Sequence, residues 1–189
     1  MSRVYLGLVH YPIYNKNNDV VTTAITNFDV HDIARTSRTY HIARYFIIHP
    51  VESQVKMARD IVEYWQTGYG GEYNPDRREA FSILDIVPDI RAAVEQITAA
   101  EGKAPVIVTT DARQFSNMVS YRKLRTLLQE EEQPCLLLFG TGWGIEKSVM
   151  EQFDYILEPI YGPCDYNHLP VRAAVAIILD RLLGEAWWS

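Results

Sequence analysis

A glycine-rich stretch follows one of the most apolar runs of the chain. Residues 135–148 read CLLLFGTGWGIEKS, with Gly140, Gly142 and Gly144 spaced two apart. Glycine has no Cβ, so its backbone can adopt positive φ or approach a ligand closely, at a cost of roughly 0.5–1 kcal/mol relative to alanine in a regular element. One such glycine would indicate a turn. Three within five residues, directly after an apolar run, favour a binding pocket, with a tight turn as the alternative.

Two familiar nucleotide-binding motifs are excluded by the glycine spacing. A dinucleotide fold places G-x-G-x-x-G after its first strand, and a phosphate loop reads G-x-x-x-x-G-K-[ST]. Here the spacing is G-x-G-x-G, after about the fifth apolar run. A second loop, EPIYGPCDYNHLP at 158–170, follows the next run. Loops at the carboxyl ends of parallel strands are where open α/β sheets bind ligands, so the two loops together favour a ligand site.

One predicted helix carries an imidazole and two guanidinium groups on a single face. His31, Arg35 and Arg38 occupy positions i−4, i and i+3. A guanidinium with a pKa above ~12 is a poor base, so Arg35 is suited to hold an acceptor group and stabilise developing negative charge. His31 is the more ordinary proton acceptor. The alternative is a solvated basic face. His10, His41 and His49 follow or flank apolar segments without a partner at ligand spacing and are interpreted as structural.

Apolar runs alternate with helix-length segments along the chain. This alternation predicts an α/β fold with a mainly parallel sheet and helices on both faces. The strands are predicted at 4–11, 43–50, 81–87, 104–110, 134–140 and 153–160. Helices are predicted to start at Asn27 or Asp29, near Val51, at Pro88, near Asn117, after Gly144 and near His168.

The glycines and proline of residues 67–79, TGYGGEYNPDRRE, predict a loop. It is either a plain connection or a mobile loop that faces the substrate. The last predicted helix, Leu169 to Leu183, is apolar almost all round and precedes Trp187 and Trp188. A helix of this kind is buried on most sides, so we expect it to pack against its own sheet and a second subunit in a homodimer. Central burial within one subunit is the alternative.

Composition sets the outer limits of these interpretations. With 189 residues, 48% hydrophobic and 22% charged, the chain suits one domain over 1–189. It has no run of membrane-spanning length and no leader, so we expect a soluble, cytoplasmic protein. Cys135 and Cys164 give neither a disulfide framework nor a metal-ligand spacing, so we expect free thiols and no metal. The net charge of −6 argues against a generic polyanion binder, and any nucleic-acid site must be local.

Three segments resemble a known family. LLLFGTGWGI, followed by FDYILEPIYG and HLPVRAAVAIILDRLLG, resembles the second and third motifs of the SPOUT superfamily of S-adenosylmethionine-dependent RNA methyltransferases. TNFDVHDIARTSRTY resembles the N-x-x-x-I-x-R-T segment of the SPOUT enzymes that methylate ribose 2′-hydroxyls, with Asp29 in place of Asn and with Ile33 and Arg35 matching. Overall the chain is most similar to the SPOUT domain that some bacteria carry fused to, or encoded apart from, the tRNA (guanine-N1)-methyltransferase.

The resemblance implies a parallel sheet with a C-terminal trefoil knot. It also implies that the loops at 139–145, 158–163 and 166–171 lie side by side and hold S-adenosylmethionine. The implied cofactor-binding residues are Leu138, Phe139, Gly140, Thr141, Gly142, Gly144, Ile160, Tyr161, Gly162 and Leu169. Among these, Leu138, Ile160 and Leu169 are the candidates for the faces of the adenine ring, although each is otherwise an ordinary core residue.

The implied activity is methyl transfer to tRNA, more at a ribose 2′-hydroxyl than at a base nitrogen. Arg35, Arg38, Arg77 and Arg78 are the candidates for RNA contact. Two positions depart from the family pattern. The glycine motif is one residue shorter than G-N-E-G-x-G and lacks its Glu, and L-P-V-R at 169–172 replaces L-N-V-S. These departures leave open a non-catalytic RNA- or cofactor-binding module of the same fold, and another nucleotide-binding α/β enzyme is the third alternative.

Overall fold

A computed structural model describes residues 2–115 and 118–185 of the chain. These ranges contain nine strands and eight helices. The strands are β1 (Val4–Val9), β2 (Ile13–Tyr14), β3 (Val20–Val21), β4 (Tyr45–Ile48), β5 (Leu84–Val87), β6 (Val106–Thr110), β7 (Met118–Val119), β8 (Cys135–Gly140) and β9 (Tyr155–Leu157). The helices are α1 (Asn27–Thr39), α2 (Glu52–Gln66), α3 (Tyr69–Tyr73), α4 (Pro75–Phe81), α5 (Ile90–Glu101), α6 (Tyr121–Glu130), α7 (Lys147–Met150) and α8 (Val171–Leu183).

Seven of the strands form one sheet in the order β5-β4-β1-β8-β6-β9-β7, and every neighbouring pair is parallel. Strand β1 lies between β4 and β8, with Leu8 opposite both Ile47 and Phe139. The remaining two strands, β2 and β3, pair as a separate antiparallel hairpin. The predicted α/β fold with a parallel sheet is therefore confirmed, and all six predicted strands are present.

Each face of the sheet carries its own apolar core. One core packs α1, α2, α4, α6 and α8 against the sheet, with Phe81, Leu137 and Leu179 wholly buried. The other packs α5 and α7, with Ile97 and Met150 wholly buried. A parallel sheet buries both faces, which explains why its strands read as continuous apolar runs rather than alternating ones.

Capping residues fix the starts of several helices. Thr26 caps α1 by accepting a hydrogen bond from the backbone N–H of Asp29, and Asp89 and Ser120 cap α5 and α6 in the same way. Helix α1 starts at Asn27 as predicted. The predicted start near Asn117 falls on a residue outside the described ranges, and α6 begins at Tyr121. Trp187 and Trp188 also lie outside the described residues.

The prediction of a loop at 67–79 is wrong, because this segment forms the two short helices α3 and α4. Asn74 caps α4 by accepting from the backbone N–H of Arg77, and Pro75 stands at its first position. Gly70 and Gly71 are buried against α2, and a Cβ on Gly70 would lie 2.5 Å from the ring of Tyr64. The glycines therefore serve close helix packing rather than a flexible connection.

Candidate cofactor and RNA site

Three loops meet at the carboxyl edge of the sheet. They follow β6 (the β6 loop, residues 111–115), β8 (the glycine loop, residues 141–146) and β9 (the β9 loop, residues 158–170). The side-chain amide of Asn167 donates to the backbone oxygen of Ala112 at 3.1 Å, which joins the β9 loop to the β6 loop. A Cβ on Gly144 would lie 2.7 Å from a carboxylate oxygen of Asp111, so the glycine loop touches the β6 loop as well. The β6 loop thus contacts both of the others.

The glycine loop is held from behind by the β2–β3 hairpin. Trp143 donates its backbone N–H to the oxygen of Tyr14 at 3.1 Å, and Tyr14 donates to the oxygen of Gly144 at 2.9 Å. Gly142 and Gly144 have φ angles of 54° and 94°, in the left-handed region that favours glycine. A Cβ on Gly140 would lie 2.9 Å from the backbone nitrogen of Ile145. Internal packing therefore already requires glycine at these positions, whatever ligand the loop binds.

Glu146 closes the glycine loop and starts α7. Its carboxylate accepts hydrogen bonds from the backbone N–H groups of Ser148 and Val149 and from the hydroxyls of Ser148 and Tyr14. Hydrogen bonds from Ser148 lower the pKa of Glu146 to about 2. The carboxylate is therefore ionised at neutral pH, and it fixes the end of the loop to the β2–β3 hairpin.

Sequence reasoning missed an ion pair in the β6 loop. Arg113 donates from Nε and Nη2 to the two carboxylate oxygens of Asp111, at 2.9 and 2.7 Å. The Asp111 side chain is only 3% exposed, and the guanidinium lies over the rings of Tyr14 and Phe115. The pair thus joins the β6 loop to the hairpin behind the glycine loop. Its only sequence signal is an Asp-x-Arg directly after a strand, which is too common to mark a site.

The β9 loop offers a backbone that is open to a ligand. No backbone N–H of residues 160–169 donates to another group in the described part of the chain. Free N–H and C=O groups of this kind can read the edge of an adenine ring. The side chains of Tyr161 and Leu169 are exposed, and a Cβ on Gly162 would meet nothing within 4 Å. The site residues therefore fit a nucleoside ligand such as the adenosyl group of S-adenosylmethionine, held mainly through the main chain.

The remaining predicted cofactor residues occupy different positions. Thr141 anchors the glycine loop, because its hydroxyl donates to the backbone oxygen of Val9 at 3.0 Å. Ile160 is partly buried against the core. Leu138 and Phe139 are wholly buried on opposite faces of the sheet, so their side chains belong to the two cores and only their main chain lies near the loops. Of the three candidates for the adenine faces, Leu169 alone is exposed.

Helix α1 places its three predicted functional groups in three environments. Arg35 is exposed, and its guanidinium has no ion-pair partner within residues 2–115 and 118–185. Arg38 is ion-paired with Glu79 of α4 at 2.5 Å. His31 is partly buried, with its ring centroid 5.3 Å from that of Trp65 and 4.9 Å from that of Phe81. Burial and the nearby charge of Arg77 lower the pKa of His31, so its ring is neutral at pH 7.

Two further histidines lie at the carboxyl ends of β1 and β4. His10 and His49 are buried, their ring centroids are 5.4 Å apart, and both contact Thr23. Burial, followed by the proximity of His49, lowers the pKa of His10 to about 3. The interpretation of both residues as structural agrees with these surroundings.

Three other expectations bear on the described residues. Cys135 is buried, Cys164 is exposed, and neither forms a disulfide. Among residues 2–115 and 118–185, no group of three or more His, Cys, Asp or Glu side chains is arranged to hold a metal ion. Within those ranges, no helix has the length and apolar character needed to cross a membrane.

Comparison with known proteins identifies the family that this chain resembles. A family model described as SAM-dependent RNA methyltransferase matches residues 3–184. An uncharacterised protein of Aquifex aeolicus is 42% identical over 184 residues, which cover 97% of this chain and 90% of that protein. A tRNA (guanine-N(1)-)-methyltransferase of Nitratidesulfovibrio vulgaris is also 42% identical over 184 residues, but these cover only 43% of its length. The chain therefore spans less than half of that enzyme.

Solved structures share the fold at low sequence identity. The A. aeolicus TrmH/SpoU tRNA modifying enzyme matches 97% of this chain and 75% of its own, with a TM-score of 0.54 and 16% identity. A structure solved for the 2-OH methylation of C/U34 on tRNA matches 96% of this chain and 97% of its own, with a TM-score of 0.54 and 17% identity. These matches confirm the SPOUT fold, and the trefoil knot stays a prediction. The chain belongs to the family of S-adenosylmethionine-dependent RNA methyltransferases.

Proposed function

We propose that this protein transfers a methyl group from S-adenosylmethionine to a ribose 2′-hydroxyl of tRNA. The observation that carries the proposal is the position of Arg35. Its guanidinium is exposed and unpaired among the described residues, on the helix whose first turn contacts the start of α8. The β9 loop ends at that same point. One helix therefore carries a cation that is free to contact RNA, while its first turn contacts the helix that directly follows the β9 loop.

The choice of tRNA rests on relatives with two different chemistries. The Nitratidesulfovibrio relative is named for methylation of guanine N1 in tRNA, and one solved neighbour concerns 2-OH methylation of tRNA. The guanine enzyme is more than twice as long as the part that this chain covers, whereas the 2-OH neighbour is matched over 97% of its length. This difference in coverage favours the ribose hydroxyl. Methylation of a base nitrogen is the alternative that the guanine enzyme supports.

The three loops and Arg35 have different roles in the proposed reaction. When bound, S-adenosylmethionine supplies a methyl group activated by its sulfonium. The open backbone of residues 160–169 and the glycine loop hold the nucleoside part and fix its orientation. Arg35 holds the acceptor ribose or its phosphate and stabilises the negative charge that develops on the acceptor oxygen. Such alignment contributes up to ~7–11 kcal/mol to methyl transfer, which needs little covalent help from a protein.

The proton of the hydroxyl needs an acceptor, and His31 is our candidate. Its lowered pKa keeps the ring neutral at pH 7, as an acceptor must be. The ring faces the space between α1, α2 and α4, so this role requires the acceptor nucleotide to reach that side of α1.

Further RNA contacts are proposed for Arg38, Arg77 and Arg78. Arg78 is exposed on α4 and free to contact a phosphate. Arg38 first has to leave Glu79, and the Arg77 guanidinium lies 4.6 Å from the centroid of the Trp65 ring. We expect the affinity for RNA that Arg78 contributes to fall steadily as the salt concentration rises. A contact between Arg78 and a phosphate releases a counterion, and no contact within the protein has to break first.

The proposal is tested by transfer of a tritiated methyl group from S-adenosylmethionine to unmodified tRNA. The labelled tRNA is then hydrolysed with alkali. A 2′-O-methyl group blocks cleavage at the next phosphate and leaves the label in a dinucleotide, whereas a base methyl leaves it in a mononucleotide. We expect labelled dinucleotides from the wild type, formed roughly 10²–10³ times more slowly by Arg35→Ala. Label in mononucleotides would transfer the assignment to a base nitrogen, and no incorporation with normal binding of S-adenosylhomocysteine would indicate a non-catalytic module.

A further inference from the structure

A cavity of about 800 Å³ lies between α1, α2 and α4. Its lining includes Asn27, Phe28, His31, Met57, Trp65 and Arg77. No residue of the glycine loop, the β6 loop or the β9 loop lines it, so it is separate from the proposed cofactor site. Its volume falls within the roughly 300–1,000 Å³ that is typical of pockets for small organic groups.

The walls of this cavity present flat aromatic surfaces. Phe28 is 67% exposed and Tyr64 is 49% exposed, so both rings are accessible to a ligand. The partly buried ring of Trp65 packs edge-on against Tyr64, with centroids 5.3 Å apart. Aromatic faces and planar guanidinium groups are the surfaces on which proteins stack unpaired bases of RNA.

Two polar atoms beside these rings are left without partners. His31 Nδ1 and Arg77 Nε are buried, and neither has a hydrogen-bond partner among the described residues. Buried polar atoms are nearly always paired, so both nitrogens are available to a hydrogen-bond partner, whether water or a ligand. The neutral imidazole can donate or accept, and the guanidinium donates. A ligand that pairs with both must therefore offer an acceptor to Arg77 and either kind of atom to His31.

The charges at the cavity argue against an anion. Asp32 and Asp60 both line it, and Lys56, the other cation there besides Arg77, is already paired with Asp60 at 2.7 Å. A phosphate would face these carboxylates, whereas an uncharged ring would not. A planar group with hydrogen-bonding atoms on its edge satisfies both the aromatic walls and the unpaired nitrogens. An apolar side chain would satisfy the walls alone.

We propose that this cavity binds one unstacked nucleobase of the RNA substrate. The inference rests on the proposed function and adds a second contact point apart from the three loops; in this arrangement His31 contacts the base, in place of the proton-acceptor role considered for it above. The base stacks against the aromatic wall, while His31 and Arg77 bond to its edge. Recognition by this cavity requires a nucleotide that is free to leave its neighbours, as in a loop or bulge of tRNA.

The test measures binding of a fluorescently labelled RNA dodecamer of mixed sequence by fluorescence anisotropy. The dodecamer is used as a single strand and, separately, as a duplex with its complement. His31→Phe keeps the ring packing and removes both nitrogens, and Arg77→Met keeps the aliphatic stem and removes the guanidinium. We expect each variant to bind the single strand roughly 5-fold to 100-fold more weakly, with less than a twofold change for the duplex. Arg59→Met removes one exposed positive charge from α2 outside this cavity and serves as the control, with both affinities unchanged.

Each other outcome has a defined meaning. Unchanged single-strand affinity in both variants overturns the cavity assignment, even where the wild type methylates tRNA. Equal losses for single strand and duplex indicate a phosphate contact and also overturn it. Loss of S-adenosylhomocysteine affinity indicates that the cavity holds the methyl donor instead. A wild type that binds single strands through this cavity but transfers no methyl group contradicts the proposed function and leaves the cavity assignment standing. Circular dichroism confirms the fold of each variant, and Arg77→Met decides the matter where His31→Phe fails to fold.

Discussion

Nε of Arg172 lies 3.3 Å from a carboxylate oxygen of Asp32, so the first turn of α8 is ion-paired with α1. The same guanidinium lies 3.9 Å from the buried Asp29 and over the ring of Phe28. Asp29 and Arg172 are two of the three positions, with Pro170, at which the motifs of the first and last helices depart from the SPOUT pattern. Because their charges are opposite and they face each other, the two departures are complementary.

The contact between α1 and α8 leaves an apolar surface beside it. Ala173 and Ile177 lie on the face of α8 that points away from the buried Val175, Ile178 and Leu179, and both are only partly covered. Covering such a surface with a second copy of the chain would stabilise both, which is the physical basis for the proposed homodimer.

We therefore predict a dimer at micromolar concentration and a monomer for Ile177→Glu. A carboxylate at the centre of an apolar interface loses its hydration without gaining a partner, and this cost of several kcal/mol exceeds what a modest interface supplies. Sedimentation velocity measures the change. Val20→Glu, at a 47% exposed position on β3, is the control and should remain dimeric. A wild type that sediments as a monomer would contradict the prediction.

The sequence predicted the sheet because its signal is local. Runs such as 134–140 are apolar throughout, and only strands buried on both faces need that composition. The β2–β3 hairpin was missed because two-residue strands show no periodicity. The segment 67–79 was wrongly predicted as a loop because glycine and proline occur both in loops and in helices. Gly70 permits close packing on α2 and Pro75 starts a helix, and neither use can be distinguished from a loop without the packing partner.

The candidate site was predicted as a set of segments rather than as a set of contacts. The glycine loop and the β9 loop follow strands that are consecutive along the chain, and this is readable from the order of the runs; the sheet places β6 between those two strands. The surroundings of His31 are not readable, because Trp65 and Phe81 come from two other helices. The same applies to the Asp111–Arg113 pair, whose role depends on a hairpin that lies almost a hundred residues away in the chain.

Gly144 provides a test of the glycine loop. A Cβ there would suffer both the strain of a φ of 94° and a 2.7 Å contact with Asp111. Gly102, at the end of α5, has a φ of 73° and nothing within 4 Å, so Gly102→Ala carries the strain alone, about 1–2 kcal/mol. We expect Gly144→Ala to lower the free energy of unfolding by more than Gly102→Ala, as measured in urea. Calorimetry should show that Gly144→Ala binds S-adenosylhomocysteine more weakly than the wild type and that Gly102→Ala does not. Wild-type affinity in Gly144→Ala would contradict the placement of the site.

The lowered pKa of His10 predicts that the free energy of unfolding decreases in acid. Its pKa is about 3 in the folded chain, below the ordinary value of 6.5, because burial disfavours the charged ring. Above pH 6.5 both states are neutral and stability is complete. Between pH 6.5 and 3 the unfolded chain binds a proton that the folded chain does not, so stability falls by up to about 1.4 kcal/mol per pH unit.

Urea unfolding from pH 8 to 4 measures this dependence. His10→Gln should be less stable than the wild type at pH 8, because it disturbs packing with Thr23 and His49. Its deficit should shrink steadily as the pH falls, because glutamine has no proton to gain. His31 and His49 also have lowered pKa values and will leave some slope in the variant. Parallel curves for the two proteins would show that His10 titrates normally.

Arg35 carries the chemical part of the proposal. If its guanidinium stabilises charge only as the methyl group moves, Arg35→Ala should lower turnover by roughly 10²–10³, or about 2.7–4 kcal/mol. S-adenosylhomocysteine affinity should barely change, because the proposal assigns the cofactor to the three loops and Arg35 belongs to none of them. Arg35→Lys should restore little, since an ammonium cannot reproduce the planar fork of a guanidinium.

The measurement is methyl transfer under saturating donor, with calorimetry on the same preparations. Arg91→Ala removes an equally exposed arginine from α5, on the opposite face of the sheet, and should retain full turnover. Full turnover by Arg35→Ala would return this arginine to a solvated surface and remove the main support for the ribose assignment. Loss of S-adenosylhomocysteine binding by Arg35→Ala would instead place the guanidinium at the cofactor, because a group that acts only on the acceptor cannot alter the affinity of a donor that binds without it.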